Sequence, residues 1–146
     1  MTNQLIARLQ NDFPDFAFVY DERPHWSAPT KTIHYSDDDM QTLHELGHAL
    51  LGHSNYGQDV ELLQIERAAW DKARELAPSY GLGIDEEVIE EALDTYREWL
   101  HARSKCPRCS QTGVQGVNSS KYLCPTCHAV WRPSAAKAGI LRRYIC

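Results

Sequence analysis

The sequence predicts an α+β protein in two parts, and three observations carry that prediction. Two short aromatic and β-branched runs, residues 16–20 and 31–35, lie between prolines and are typical of strands. Several longer segments place apolar residues at helical spacing. The last part of the chain contains two C-P-x-C pairs. We therefore expect a small helix-and-sheet domain over residues 1–103 and a cysteine module over residues 104–146.

The elements follow from periodicity and from helix start and stop signals. The acidic stretch SDDD, residues 36–39, is a helix N-terminal signal, and Asp85 is a second one. Pro78 and the glycines after it end the predicted helix that precedes Asp85. The predicted strands cover residues 16–20 and 31–35, after a helix over about 2–10. Three longer helices follow, from the SDDD stretch to about 52, over about 58–77 and over about 85–103. A short helix is predicted within 134–146.

The charge is unevenly divided along the chain. Residues 1–100 carry 7 Lys and Arg against all 20 Asp and Glu, a formal charge of −13. Residues 101–146 carry 8 Lys and Arg and no acid, a charge of +8, and stay basic after a four-thiolate zinc site removes about two charges. The charge break near Arg103 sets the predicted domain boundary.

Composition excludes several classes of protein. Apolar residues make up 42% of the chain, enough for a core. No apolar run approaches the ~18–20 residues of a membrane helix, and the N-terminal stretch lacks the apolar region of a signal peptide. C-x-x-C spacing in such a chain indicates metal binding in place of disulfides. We therefore expect a cytoplasmic protein.

The strongest motif is HELGH, His44 to His48. Residues four apart on a helix share one face, so both histidines can bind one zinc ion, and Glu45 lies about 100° round the helix, beside the metal. A carboxylate there can act as the general base for an attacking water molecule. The alternative is an ordinary amphipathic helix with two histidines, and the strand and acidic N-cap before the motif argue against it.

A catalytic zinc ion normally has three protein ligands, so one more is needed. His53 follows His48 by five residues where the metzincin pattern requires six, and a continuing helix would turn it about 140° away. Glu66 is the better candidate, because a carboxylate inside the apolar arc of the next helix is costly unless it is paired or binds metal. Glu61, on the polar face, is the weaker one. We expect His44, His48 and Glu66, a gluzincin arrangement, with a Glu66 paired to Arg or Tyr as the alternative.

HELGH followed by ERAAW, Glu66 to Trp70, resembles the ImmA/IrrE-like zinc metallopeptidases, in particular small members encoded beside helix-turn-helix repressors in phage and phage-defence operons. The resemblance covers about residues 15–105. It implies a gluzincin-like fold, the same three zinc ligands, Glu45 as base, and cleavage of a partner repressor, often after DNA damage. The chain lacks a helix-turn-helix segment of its own, so the repressor would be a separate protein.

The two C-P-x-C pairs predict a zinc ribbon, because each pair supplies two thiolates to one tetrahedral ion. They are separated by 14 residues. The predicted ligands of this structural zinc are Cys106, Cys109, Cys124 and Cys127.

Basic and aromatic residues accompany these cysteines and suit single-stranded nucleic acid, which is held by phosphate contacts and base stacking. The competing use of the charge is docking on the acidic part of the same chain. The candidate nucleic-acid contacts are Arg108, Lys121, Trp131, Arg132, Arg142 and Arg143.

The final residue, Cys146, is left over from the cysteine pairs. A catalytic zinc ion has an open position, and thiolate is a good zinc ligand, so a cysteine reaching it would block the site. Cys146 is one candidate for such a cysteine switch. If the ribbon binds no metal, Cys109 or Cys106 is another.

The sequence as a whole therefore predicts a zinc endopeptidase that cleaves a specific protein, with DNA sensed through the basic module. The alternatives are a SprT-like protease acting on DNA–protein crosslinks and a silent DNA- or protein-binding adaptor. A SprT-like protease requires a downstream histidine as the third zinc ligand, and no histidine lies between His53 and His101.

Overall fold

The structure is a computed structural model and describes residues 2–135 and 141–146. It is α+β, as the sequence predicts. The helices are α1 (Thr2–Asp12), α2 (Asp39–Leu50), α3 (Asp59–Leu76) and α4 (Glu86–Ser104), with a 3-10 turn over Ala77–Tyr80. The strands are β1 (Ala17–Tyr20), β2 (His25–Ser27), β3 (Thr32–Tyr35), β4 (Val114–Gln115), β5 (Tyr122–Leu123), β6 (Val130–Pro133) and β7 (Arg143–Ile145).

The chain divides into two compact units. Unit 1 comprises Met1–Asn55 and Ile65–Ile89, and unit 2 comprises Tyr56–Gln64 and Glu90–Cys146. The predicted boundary at residue 103 assigns α3 and α4 to the first domain, whereas this division splits both helices between the units. Among the described residues, no helix has the length and apolar character needed to cross a membrane.

Unit 1 is built on a three-stranded sheet in the order β1-β3-β2. β1 runs parallel to β3, and β2 runs antiparallel to it. Ile33 in the central strand is fully buried, and α2 packs against β2 and β3. β2 was not predicted, because three residues between two prolines carry no clear strand pattern. In this strand Trp26 lies opposite Ile33 and donates its indole N–H to the carbonyl of His53 at 2.9 Å.

The helix that carries the motif begins and ends at well-defined caps. The Asp38 carboxylate accepts hydrogen bonds from the backbone N–H groups of Met40 and Gln41, so the predicted acidic signal is the N-cap. The helix ends at Leu50, because Gly52 adopts a left-handed conformation at φ 68°. The N–H of His53 then turns back to the carbonyl of His48 at 3.0 Å, as in a Schellman motif.

Unit 2 contains a four-stranded antiparallel sheet in the order β4-β5-β6-β7. Tyr122 and Trp131 stack at 5.6 Å between ring centroids and form its core together with the buried cysteines Cys106 and Cys124. The predicted C-terminal helix is wrong for residues 143–145, which form β7 because their backbone pairs with β6. Residues 136–140 of that prediction lie outside the described residues.

Candidate metal centre

The helix α2 places both motif histidines in the interior of unit 1. Eight consecutive residues of this helix, Thr42 to Ala49, are buried, so the helix is enclosed on all sides. His44 and His48 point their Nε2 atoms at each other, 3.1 Å apart. The i, i+4 spacing therefore brings two imidazole donors to one point, as the sequence predicts.

Glu66 on α3 completes this cluster. Its carboxylate lies 2.8 Å from Nε2 of His44 and 3.3 Å from Nε2 of His48. The approach is possible because α2 and α3 nearly touch at Gly47, where an added Cβ would lie 2.5 Å from the carbonyl oxygen of Ala69. Ala69 is three residues beyond Glu66, so the glycine sets how close the carboxylate comes to the histidines.

The donor set of His44, His48 and Glu66 fits a zinc ion. Zinc takes imidazole nitrogen and carboxylate oxygen at about 2.0–2.2 Å, so donors around one ion lie roughly 3–3.5 Å apart. Two of the three distances here, 3.1 and 3.3 Å, fall in that range, and the third, between His44 and Glu66, is shorter at 2.8 Å. Burial raises the pKa of Glu66, but the hydrogen bonds from both histidines outweigh it and lower that pKa from 4.5 to about 2. The site therefore contains an ionised, buried carboxylate beside two imidazole rings.

Glu45 is buried at the same site. Its carboxylate can come within 4.8 Å of a ring nitrogen of both His44 and His48. Gln41, one turn earlier on α2, donates its side-chain N–H to Oε1 of Glu45 at 3.0 Å. That bond engages Oε1, and a carboxylate has a second oxygen that can accept a proton.

His53 contacts the opposite side of the His48 ring. The Nδ1 atoms of the two residues lie 3.0 Å apart, so His53 contacts the ring nitrogen of His48 that does not face Glu66. Burial, followed by the neighbouring His48, lowers the pKa of His53. A neutral His53 can accept the Nδ1–H of His48, which fixes the tautomer that presents Nε2 to the cluster. His53, which the sequence disfavoured as a zinc ligand, thus orients one of the predicted ligands.

Glu61 has a different partner. Its Oε2 accepts the backbone N–H of Gly57 at 2.9 Å within unit 2. Trp70 is a contact that sequence reasoning missed, because it counted only as one apolar residue of the helix. Its ring stacks on His44 at 4.2 Å and 25°, which holds that imidazole from its flat side.

The four cysteines of the C-P-x-C pairs form one cluster in unit 2. Their sulfur atoms lie within 4.8 Å of one another, with Cys106 and Cys127 3.6 Å apart and Cys109 and Cys124 3.4 Å apart. The backbone N–H of Cys127 donates to Sγ of Cys124 and lowers the pKa of that thiol to about 6. The backbone hydrogen bond with Gln111 lowers the pKa of Cys109, but the hydrogen bonds with neighbouring cysteines and burial outweigh it and raise that pKa. The geometry, and not a shared thiolate character, therefore makes the cluster compatible with a zinc ribbon.

Two of the candidate nucleic-acid contacts need revision. Trp131 is fully buried, so it is not available to stack on a base, and the prediction for this residue is wrong. Its ring fills the core of the sheet and donates Nε1–H to the carbonyl of Arg103 at 2.9 Å. Arg143 is half-buried and donates to the carbonyl of Lys105. The remaining candidates are exposed, namely Arg108, Lys121, Arg132 and Arg142.

Cys146 is exposed at the end of β7. Its backbone N–H bonds to the carbonyl of Val130, and its thiol lies 3.7 Å from the carbonyl of Tyr144. Cys106 and Cys109, the other candidates for a cysteine switch, face the other cysteines of their own cluster. The cysteine switch stays a prediction.

Comparison of the chain with protein-family models, with curated proteins and with solved structures gives no match in any of the three.

Proposed function

We propose that this protein is a zinc-dependent endopeptidase that cleaves a specific protein partner. The observation that carries the proposal is the meeting of His44, His48 and Glu66 at one buried point with Glu45 beside it. Two imidazoles, one carboxylate ligand and a second carboxylate of a different orientation are the components of a gluzincin site.

Each residue of the site has a distinct task in this proposal. His44, His48 and Glu66 hold the zinc ion, which supplies Lewis-acid activation of water and of the peptide carbonyl when it is bound. Glu45 takes the proton from the attacking water and passes it to the departing amine. Gln41 holds the Glu45 carboxylate through Oε1 and leaves Oε2 for that proton. His53 and Trp70 fix the two imidazole rings.

The proposed substrate is a helix-turn-helix transcriptional repressor, cleaved in a DNA-damage or phage-defence response in the cytoplasm. The resemblance of HELGH and ERAAW to the ImmA/IrrE-like metallopeptidases supports it. The proposed trigger is single-stranded DNA bound by unit 2. Arg132 and Tyr144 support this, because they lie opposite each other on β6 and β7 and are both exposed, which pairs a phosphate contact with a stacking ring.

The decisive experiment incubates the zinc-loaded protein with a repressor encoded beside it, with and without single-stranded DNA. We expect fragments of defined size from the wild type and none from Glu45→Gln, which retains the zinc ligands but lacks the base. Glu98→Gln, a change of the same chemistry at an exposed position of α4, is the matched control and retains cleavage.

The outcomes separate the proposal from its alternatives. Cleavage that survives Glu45→Gln contradicts the hydrolytic mechanism. Binding of the repressor by wild type and variant alike, without cleavage by either, favours an adaptor. For the trigger, Tyr144→Ala is expected to reduce stimulation by DNA without changing basal cleavage, since base stacking contributes about 1–3 kcal/mol per base.

A further inference from the structure

We propose that Asp21, His25 and His34 form a second binding site in unit 1 for a divalent transition-metal ion. Asp21 follows β1 directly, and the two histidines lie opposite each other on β2 and β3. One donor atom from each of the three residues lies within 4.8 Å of the other two. Two imidazoles with one carboxylate are a donor set that zinc, nickel, copper and iron accept.

The backbone of Arg23 orients two of these side chains. Its N–H donates to Oδ1 of Asp21 at 2.9 Å, and its carbonyl lies 2.8 Å from Nδ1 of His25. Asp21 therefore retains Oδ2 for a ligand, and His25, with Nδ1–H donating to the carbonyl, retains the lone pair of Nε2. Metal-binding histidines commonly donate their second N–H to a carbonyl in this way.

The third donor is an unsatisfied atom. Nδ1 of His34 is buried and has no hydrogen-bond partner among residues 2–135 and 141–146. It lies 3.7 Å from Oδ2 of Asp21, too far for a hydrogen bond. A buried polar atom without a partner is costly, and an ion between the nitrogen and the carboxylate would satisfy both.

This site is separate from the cluster around His44. Neighbouring residues of a strand point to opposite faces of the sheet, and Ile33 faces the core, so His34 and its partner His25 face away from it. The exposed fraction of Val19, which lies opposite His34 on β1, is 48% and agrees with an open face. An ion bound there would have access to solvent.

The two rings are stacked at 4.0 Å between centroids and 8° between planes. The lone pair of an imidazole nitrogen lies in the plane of its ring, and one ion cannot lie in two parallel planes that are separated, so the rings have to tilt before they bind one ion. His25 is exposed and is the ring that is free to tilt. Metal binding should therefore separate the stacked rings, which shifts the imidazole proton signals of both histidines.

The test compares the zinc content of the full-length protein with that of variants after dialysis against micromolar free zinc. We expect His25→Gln to contain one zinc fewer per chain than the wild type. Asp21→Asn, which can keep the bond from Arg23, should bind that zinc at least about tenfold more weakly. His101→Gln removes an exposed histidine of α4 and should retain the wild-type content.

The difference of one ion is the readout, so the result does not depend on the peptidase proposal or on the cysteine cluster. Titration with zinc should also shift the His34 ring signals in the wild type and not in His25→Gln. The proposal fails if either His25→Gln or Asp21→Asn retains both the zinc content and the zinc affinity of the wild type.

Discussion

The contact between Gly47 and Ala69 gives the sharpest test of how the metal centre is built. Gly47→Ala adds a Cβ that would lie 2.5 Å from the Ala69 carbonyl oxygen, where ordinary contact begins at 3.4 Å. The obstructing atom belongs to the backbone, so no side chain can move aside. Helices α2 and α3 must separate locally by about 0.9 Å.

That displacement is large on the scale of a metal site. Glu66 lies one turn before Ala69, so its carboxylate moves away from His44 and His48, from which it now lies 2.8 and 3.3 Å. Ligand sets must be held within about 0.5 Å of their working geometry, and an error of about 1 Å can reduce function a hundredfold. We expect zinc affinity at this site to fall by about 10- to 100-fold.

The stability of the variant should change much less. Overpacking costs about 1–3 kcal/mol, and the better helix propensity of alanine offsets about 1 kcal/mol of it. The variant is therefore expected to remain folded, with a free energy of unfolding lower by about 0–2 kcal/mol. A loss of zinc affinity then reports geometry, because the fold persists.

The assay is chelator competition for zinc, with urea unfolding measured in parallel. Gly83→Ala is the matched control, because no atom of the described residues lies within 4 Å of its added Cβ. His44→Ala marks the signal that remains when the site is lost. If Gly47→Ala binds zinc as tightly as Gly83→Ala does, the close approach of the helices does not set the position of Glu66, and the reasoning is refuted.

Three further predictions concern stability and the cysteine cluster. Arg103→Gln removes the ion pair with the buried carboxylate of Asp59 and should lower the unfolding free energy of unit 2 by about 3–5 kcal/mol in urea. Arg108→Gln, at an exposed position, should change it little. Equal stability of the two would contradict the pairing. Cys109→Ser should lower the zinc content by one ion per chain and Cys146→Ser should not, and a loss in both would place Cys146 among the ligands. Asp38→Ala should cost about 1 kcal/mol of unfolding free energy through loss of the N-cap, and an unchanged urea midpoint would refute that role.

Local features of the fold were predictable because short-range physics decides them. α1, α2, α3 and α4 lie within two or three residues of the predicted limits, since caps and apolar periodicity are written in neighbouring residues. The limit of α2 at Leu50 instead of about residue 52 follows from the left-handed Gly52. The same turn brings His53 back to His48, which a continued helix would have prevented.

The errors fall where pairing between distant segments decides the structure. β2 forms because His25–Ser27 pairs with β3, and β7 forms because Arg143–Ile145 pairs with β6. Neither segment has a pattern of its own that favours a strand. Trp131 looked like a surface residue beside basic neighbours, yet its alternating position on β6 turns it into the core.

By itself, the sequence determined which residues can bind metal. The i, i+4 histidines of HELGH and the two C-P-x-C pairs are local patterns whose chemistry follows from spacing along the chain. Glu66 was identified by its energetic cost, as a carboxylate in an apolar arc. The distance between Glu66 and His44 could not be predicted from the sequence, because it depends on how closely two helices approach at Gly47.

Only the tertiary structure decided which donors meet. His53 contacts His48, and Asp21 lies close to His25 and His34. The spacing of these residues along the chain does not predict that they are in contact. Packing fixes these contacts, since a strand register or a helix crossing moves side chains by several ångströms without any change in local pattern.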